Sequence, residues 1–275
     1  MTDVRASFVQ RYPVFTFAAL AYAFTWSVQL PLLVSRRGWM PLEVSEHWEV
    51  LAAFGPFLAA VLVVHWLEGG AGLRRLLAGI THWRVGARAW FAGALTPFAL
   101  LFGAVLVTRL TSGAWPDVAA LDASTLATAG GWVALFLVSG LAQGLGEEPG
   151  WRGFMLPKLR ERHGRLVATL LLWPVWFLWH LPAFLGRPEF GLAQFVAFGL
   201  GVLCAAIWLT WLMEFTGSLL MAVVWHLCIN VARGIALAFS PQMFLTISTL
   251  VMVGAVIILV VWAVRARRGP QSAAI

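Results

Sequence analysis

Gly131–Arg152 reads GWVALFLVSGLAQGLGEEPGWR, and its length decides how the chain folds. Gly131 to Leu145 supplies fifteen mainly apolar residues, fewer than the roughly 20 that cross a bilayer as helix. To reach membrane thickness, the helix or a kinked continuation of it has to run past Glu147 and Glu148. The two carboxylates then lie below the surface, where an ionisable group requires a partner, water or a chemical task. Proline removes a backbone bond and interior glycine weakens helix, so Pro149-Gly150 predicts a break that lines a watery cavity.

Working outward, the 275 residues are 61% hydrophobic and 11% charged, with a mean hydropathy of +0.84. A soluble domain is about a quarter charged, so this composition predicts an all-α, polytopic membrane bundle. The spans read as Val14–Val34, Trp48–Leu67, Trp90–Leu110, Gly131 to about Met155, Leu166–Phe184, Ala193–Leu212, Ser218–Phe239 and Phe244–Val264. That is eight, in one integral membrane domain over residues 1–275. The fifth is short, with Pro174 and Pro182 near its ends. The first apolar run is too long for a signal-peptide core and reads as a retained anchor. Trp39, Trp48, Trp66, Trp83 and Trp90 fall near segment ends, as an interfacial aromatic belt requires.

With the N-terminus inside, fourteen Lys and Arg residues fall in inner segments, Arg5, Arg265, Arg267 and Arg268 among them. Five fall outside: Arg36, Arg37, Arg109, Arg187 and Arg233. This bias predicts both termini inside and an even span count. The net charge of +7 is spread over short loops, so no nucleic-acid-binding module is expected. Cys204 and Cys228 lie in apolar segments without metal-ligand spacing and read as small core residues. Gly140 and Gly144, at small-xxx-small spacing, predict close helix packing. Glu214 and Arg233, near span ends, read as interfacial, and Arg265, Arg267 and Arg268 as markers of an inner end.

Polar side chains mark two further spans, with His180 after the aromatic run Trp176–Trp179 and His226 four residues before Asn230. Counting about 1.5 Å of rise per residue from the Lys158–Arg165 hairpin places Glu147 and His180 within about one turn of each other in depth. His226 also lies well inside. Glu148 and Arg152 share a helix face at i,i+4, whereas Glu147 points about 140° away from Arg152 and is left to act elsewhere. Each cluster has a plainer reading: an ion-paired loop, a histidine bonded to a backbone carbonyl, an interhelical hydrogen bond. Three such clusters at one depth read better as a hydrolytic site. Glu147 and His180 would hold and deprotonate water, and His226 and Asn230 would donate to an oxyanion. The alternative is a divalent metal such as zinc on Glu147, His180 and His226, with water as fourth ligand.

Here the chain resembles the CPBP (CAAX protease and bacteriocin-processing, Abi) intramembrane proteases. Glu147-Glu148-Pro149-Gly150-Trp151-Arg152 fits their EExxxR motif and Gly153–Pro157 continues it. Trp176 to His180 fits an aromatic-xxx-His motif in which Phe is commoner, and His226 to Asn230 fits HxxxN. Order and spacing agree over about residues 131–235, the expected catalytic core. The resemblance implies a glutamate-dependent endopeptidase of a prokaryotic plasma membrane, with a cavity open to the cytoplasmic side. Glu148 and Arg152 would support the site. The partners would be membrane lipids and a peptide or membrane-protein substrate, lipidated or not, since eukaryotic and some archaeal relatives remove the last three residues of prenylated proteins. The family is often labelled metalloprotease, which leaves the metal open. A scaffold or bacteriocin-immunity-type protein that keeps the motifs is the competing class. A proton-relay transporter is the third, and it expects paired interrupted helices in two halves.

Overall fold

The computed structural model describes residues 7–122, 124–187 and 189–267. Arg5 and Arg268, two of the orientation markers, lie outside them. The principal helices are α1 (Pro13–Arg37), α2 (Gly55–Thr81), α3 (Ala87–Ser112), α4 (Ala129–Arg160), α5 (Arg165–Trp179), α6 (Leu192–Thr216), α7 (Leu219–Phe239) and α8 (Pro241–Arg267). No strand occurs among the described residues, and the chain is an all-α, multi-pass membrane bundle. All five belt tryptophans are exposed on its surface.

Seven of these helical segments are long and apolar enough to cross a bilayer. The fifth expected span, Leu166–Phe184, is not one helix. It stops at Trp179, turns at His180 (φ −81°, ψ −3°) and restarts as the short helix Leu181–Leu185. Pro182 explains the stop, because its ring opposes the carbonyl four residues back and disfavours helix at the residue before it. Fifteen residues give α5 about 22 Å, short of a hydrocarbon core of about 30 Å. His180 is therefore presented at a helix end within the bundle. Side chains of α1 secure that end, where Trp26 Nε1–H donates to the Trp179 carbonyl at 3.0 Å and Tyr22 O–H to the Val175 carbonyl at 2.6 Å.

The second expected span ends near Leu67, and the structure shows why. Gly69 takes φ 60° and ψ −155°, a conformation only glycine adopts readily, so α2 has two legs.

The break expected at Pro149-Gly150 does not occur. Gln143–Gly150 is helical and passes directly into a π turn, Trp151–Met155. Packing explains the difference. Pro149 and Gly150 are buried, and tertiary contacts override intrinsic propensity while the wider turn absorbs the lost backbone bond. Two glycine pairs give α4 its close neighbours. A Cβ on Gly140 would lie 3.1 Å from Leu227 Cγ, and one on Gly144 would lie 2.8 Å from the Val223 carbonyl, both on α7. Gly146 abuts the backbone at Ala53, and a Cβ on Gly150 would stand 2.6 Å from the Pro56 carbonyl at the start of α2. The glutamates lie between these contacts and are held by backbone on both sides.

This predicts a result. In Gly150→Ala the methyl group meets backbone that cannot yield, so α4 and α2 must part, at about 1–3 kcal/mol. The variant should melt below the wild type in detergent; an equal midpoint would refute the close-approach role.

Candidate active site

The buried glutamates are gripped from two other helices. On α4, Glu147 is 3% exposed, and Glu148 and Arg152 are each 0% exposed. Trp176 Nε1–H, from α5, donates to Glu147 Oε2 at 2.7 Å. His226, from α7, places Nδ1 2.7 Å from Glu148 Oε1, and Arg152 Nη1 donates to that same oxygen at 2.9 Å. Glu148 thus takes the i,i+4 pairing with Arg152 while Glu147 turns to another helix, as the helical angles require.

Trp176 is the hub. Its indole N–H holds Glu147, and its ring carries the Arg152 guanidinium 4.1 Å from the ring centroid. The His226 ring stands edge-on to it at 5.9 Å. On the same turn, His180 Nδ1 is 2.8 Å from the Trp176 carbonyl. A carbonyl only accepts, so that nitrogen carries the proton and Nε2 is left as an acceptor. By the same reasoning an ionised Glu148 receives Nδ1–H of His226, and the ring's Nε2 has no partner among the described residues.

Asn230, one turn beyond His226, directs both amide protons to α4, reaching the Ser139 carbonyl at 2.9 Å and Gln143 Oε1 at 2.6 Å. In this arrangement it ties α7 to α4. Ser139 and Gln143 did not stand out in the sequence, although Gln143 is a polar residue in an apolar run, one turn before Glu147. The bond from Trp176 to Glu147 is marked in the sequence only by a tryptophan where phenylalanine is commoner.

Among the described residues, no group of three or more His, Cys, Asp or Glu side chains is disposed to hold a metal ion. Glu147, His180 and His226 therefore do not fit zinc in this arrangement.

A buried ionic cluster is a poor way to stabilise a bundle. Replacing such a cluster with well-packed apolar residues is often neutral or stabilising. This one also leaves Glu148 Oε2 and the Nε and Nη2 of Arg152 without partners. Groups kept at that disadvantage make the cluster a candidate functional site.

The match to known families falls on the same helices. Residues 129–232 match a family model described as Type II CAAX prenyl endopeptidase Rce1-like. Over these residues, fewer than half of the chain, the protein is similar to that family. No curated protein matches the chain. The matched segment runs from the start of α4 to the middle of α7 and includes every residue of the cluster.

A test of the hub follows. Trp176→Phe keeps the aromatic wall and removes the one donor seen on Glu147. A hydrogen bond to a charged group contributes about 1.5–3 kcal/mol, so kcat should fall about ten- to a hundredfold. KM should change little, because the indole touches the glutamate rather than a substrate. A kcat equal to wild type would remove Trp176 from the site's chemistry.

Proposed function

We propose that this protein is an intramembrane endopeptidase that activates water with Glu147 and His180 and stabilises the resulting oxyanion with His226 and Asn230. The observation that carries the reading is that both buried glutamates are held by donors from the other two motif helices. Trp176 occupies one oxygen of Glu147 and leaves the other for water. His180 Nε2 accepts the second hydrogen of that water, whose oxygen attacks the peptide carbonyl. Glu147 takes the proton and returns it to the leaving amine, so that a carboxylic acid, still carrying the second hydrogen, and an amine are released. His226 donates to the oxyanion from Nε2 when it carries both ring protons, with Glu148 as counter-ion to that form. Asn230 adds the N–H that it otherwise shares with Gln143. Glu148 and Arg152 position the histidine and never meet the substrate.

The expected setting is a prokaryotic plasma membrane, with cleavage near the cytoplasmic face and residues 131–235 as the catalytic core of a single membrane domain. The decisive experiment compares protein termini in cells expressing wild type or Glu147→Gln at equal levels. New termini that appear only with wild type support proteolysis and identify the substrate. Identical termini from two folded proteins would overturn the reading in favour of a membrane scaffold.

A further inference from the structure

Thr25 lies outside the matched segment and outside the mechanism above, yet it stands between the supports of both water-activating groups. It is fully buried on α1, where Tyr22, Thr25 and Trp26 (i, i+3, i+4) share one face. All three reach the last turn of α5. Tyr22 and Trp26 bond carbonyls there and so fix the backbone. Thr25 bonds a side chain instead, accepting Trp179 Nε1–H at 2.7 Å.

A hydroxyl has a single proton to give. Thr16, Thr111, Thr246 and Thr249 each give theirs to the carbonyl four residues back in their own helix. Thr25 sends its proton across to another element, the Ala52 carbonyl, at 2.8 Å. Its hydroxyl therefore bridges α5 to the segment that leads into α2.

Each end of this bridge adjoins one member of the pair. Ala52 closes the one-turn helix Glu49–Ala52, and the turn Ala53-Phe54 follows it. Gly146, the residue before Glu147, rests against the Ala53 carbonyl so closely that no Cβ would fit. A Cβ on Gly55, just past that turn, would strike Thr25 Oγ1 itself. At the other end, Trp179 is the residue before His180, and its ring stands edge-on to the imidazole with 4.6 Å between centroids. Holding the indole N–H fixes the rotation of that ring, and with it the wall against which His180 lies.

We propose that Thr25 is a positioning residue that sets the separation of Glu147 and His180. It ties the turn behind one to the tryptophan beside the other and meets no substrate. This rests on the peptidase reading above and adds a residue of α1 to the machinery of α4 and α5. Both groups must reach the same water, and a misplacement of about 1 Å can cost about a hundredfold in rate.

The test uses the full-length protein in lipid nanodiscs and a quenched-fluorescence peptide carrying the bond found by comparing termini. Thr25→Val keeps the shape and removes both hydrogen bonds, so kcat should fall about ten- to a hundredfold while KM stays within about twofold. Thr25→Ser keeps the hydroxyl and should hold kcat within about threefold of wild type. Thr169→Val is the control, because it strips an equally buried hydroxyl that joins α5 to Thr210 of α6 at 2.9 Å. It should melt lower, as Thr25→Val does, and keep its kcat. Trp179→Phe cuts the bridge at its other end, and adding it to Thr25→Val should cost nothing further. A folded Thr25→Val with wild-type kcat would overturn the bridge, as would an equal loss of kcat in Thr169→Val or in Thr25→Ser. If Thr25→Val does not fold, wild-type kcat in Trp179→Phe overturns it equally. Any overturning result, with cleavage still abolished by Glu147→Gln, leaves the peptidase reading intact. Products identical in wild type and Glu147→Gln would end both proposals.

Discussion

Glu147→Gln is expected to lower kcat by about two to four orders of magnitude, the usual contribution of a general base, while the protein stays folded. The substitution is nearly isosteric. Trp176 Nε1–H, now 2.7 Å from a carboxylate oxygen, can donate equally well to the amide carbonyl oxygen. Glutamine is neutral, so a buried charge disappears and no new one is exposed; the melting temperature should hold or rise. The amide cannot accept a proton from water, so the loss falls on the chemical step, with KM near the wild-type value. Steady-state cleavage in nanodiscs, beside a thermal melt of the same samples, separates these effects. A kcat within about tenfold of wild type would show that another group deprotonates the water.

The site could be read from sequence where helix geometry alone sets an angle. The i,i+4 pairing of Glu148 with Arg152 and the opposite bearing of Glu147 follow from 100° per residue. The convergence in depth of three polar clusters could be estimated in the same way, from residue counts about short turns. What lay beyond reach belongs to interhelical contacts. Nothing local to Trp176 states that its N–H meets Glu147, and nothing local to Asn230 states that it bonds Ser139 and Gln143. Backbone irregularities misled in both directions. Pro149-Gly150 looked like a break but is held helical by the close approach of Pro56, whereas Pro182 ends α5 inside what looked like one span. A proline stands in both places and only one of them ends a helix, so the residue type alone does not decide the outcome.

Arg152→Met should be the most destabilising single change in the site, by about 3–5 kcal/mol, because it strands one member of a buried ionic cluster. Arg152 and Glu148 are both fully buried, and the guanidinium is sandwiched between that carboxylate and the Trp176 ring. Without it, Glu148 keeps only His226, and its second oxygen already lacks a partner. The unfolding midpoint should drop steeply, and activity should vanish with the fold. Adding Glu148→Gln to Arg152→Met removes the stranded charge and should recover much of the lost stability. It should not recover cleavage, because His226 would then have no carboxylate to orient it and balance its charged form. A folded, inactive double variant would separate the two tasks of this ion pair: Arg152 makes Glu148 tolerable inside the membrane, and Glu148 makes His226 useful there. If the double variant were as unstable as Arg152→Met alone, guanidinium packing on Trp176 rather than charge balance would hold the cluster together. Recovery of cleavage along with the fold would dismiss Glu148 as the partner of His226.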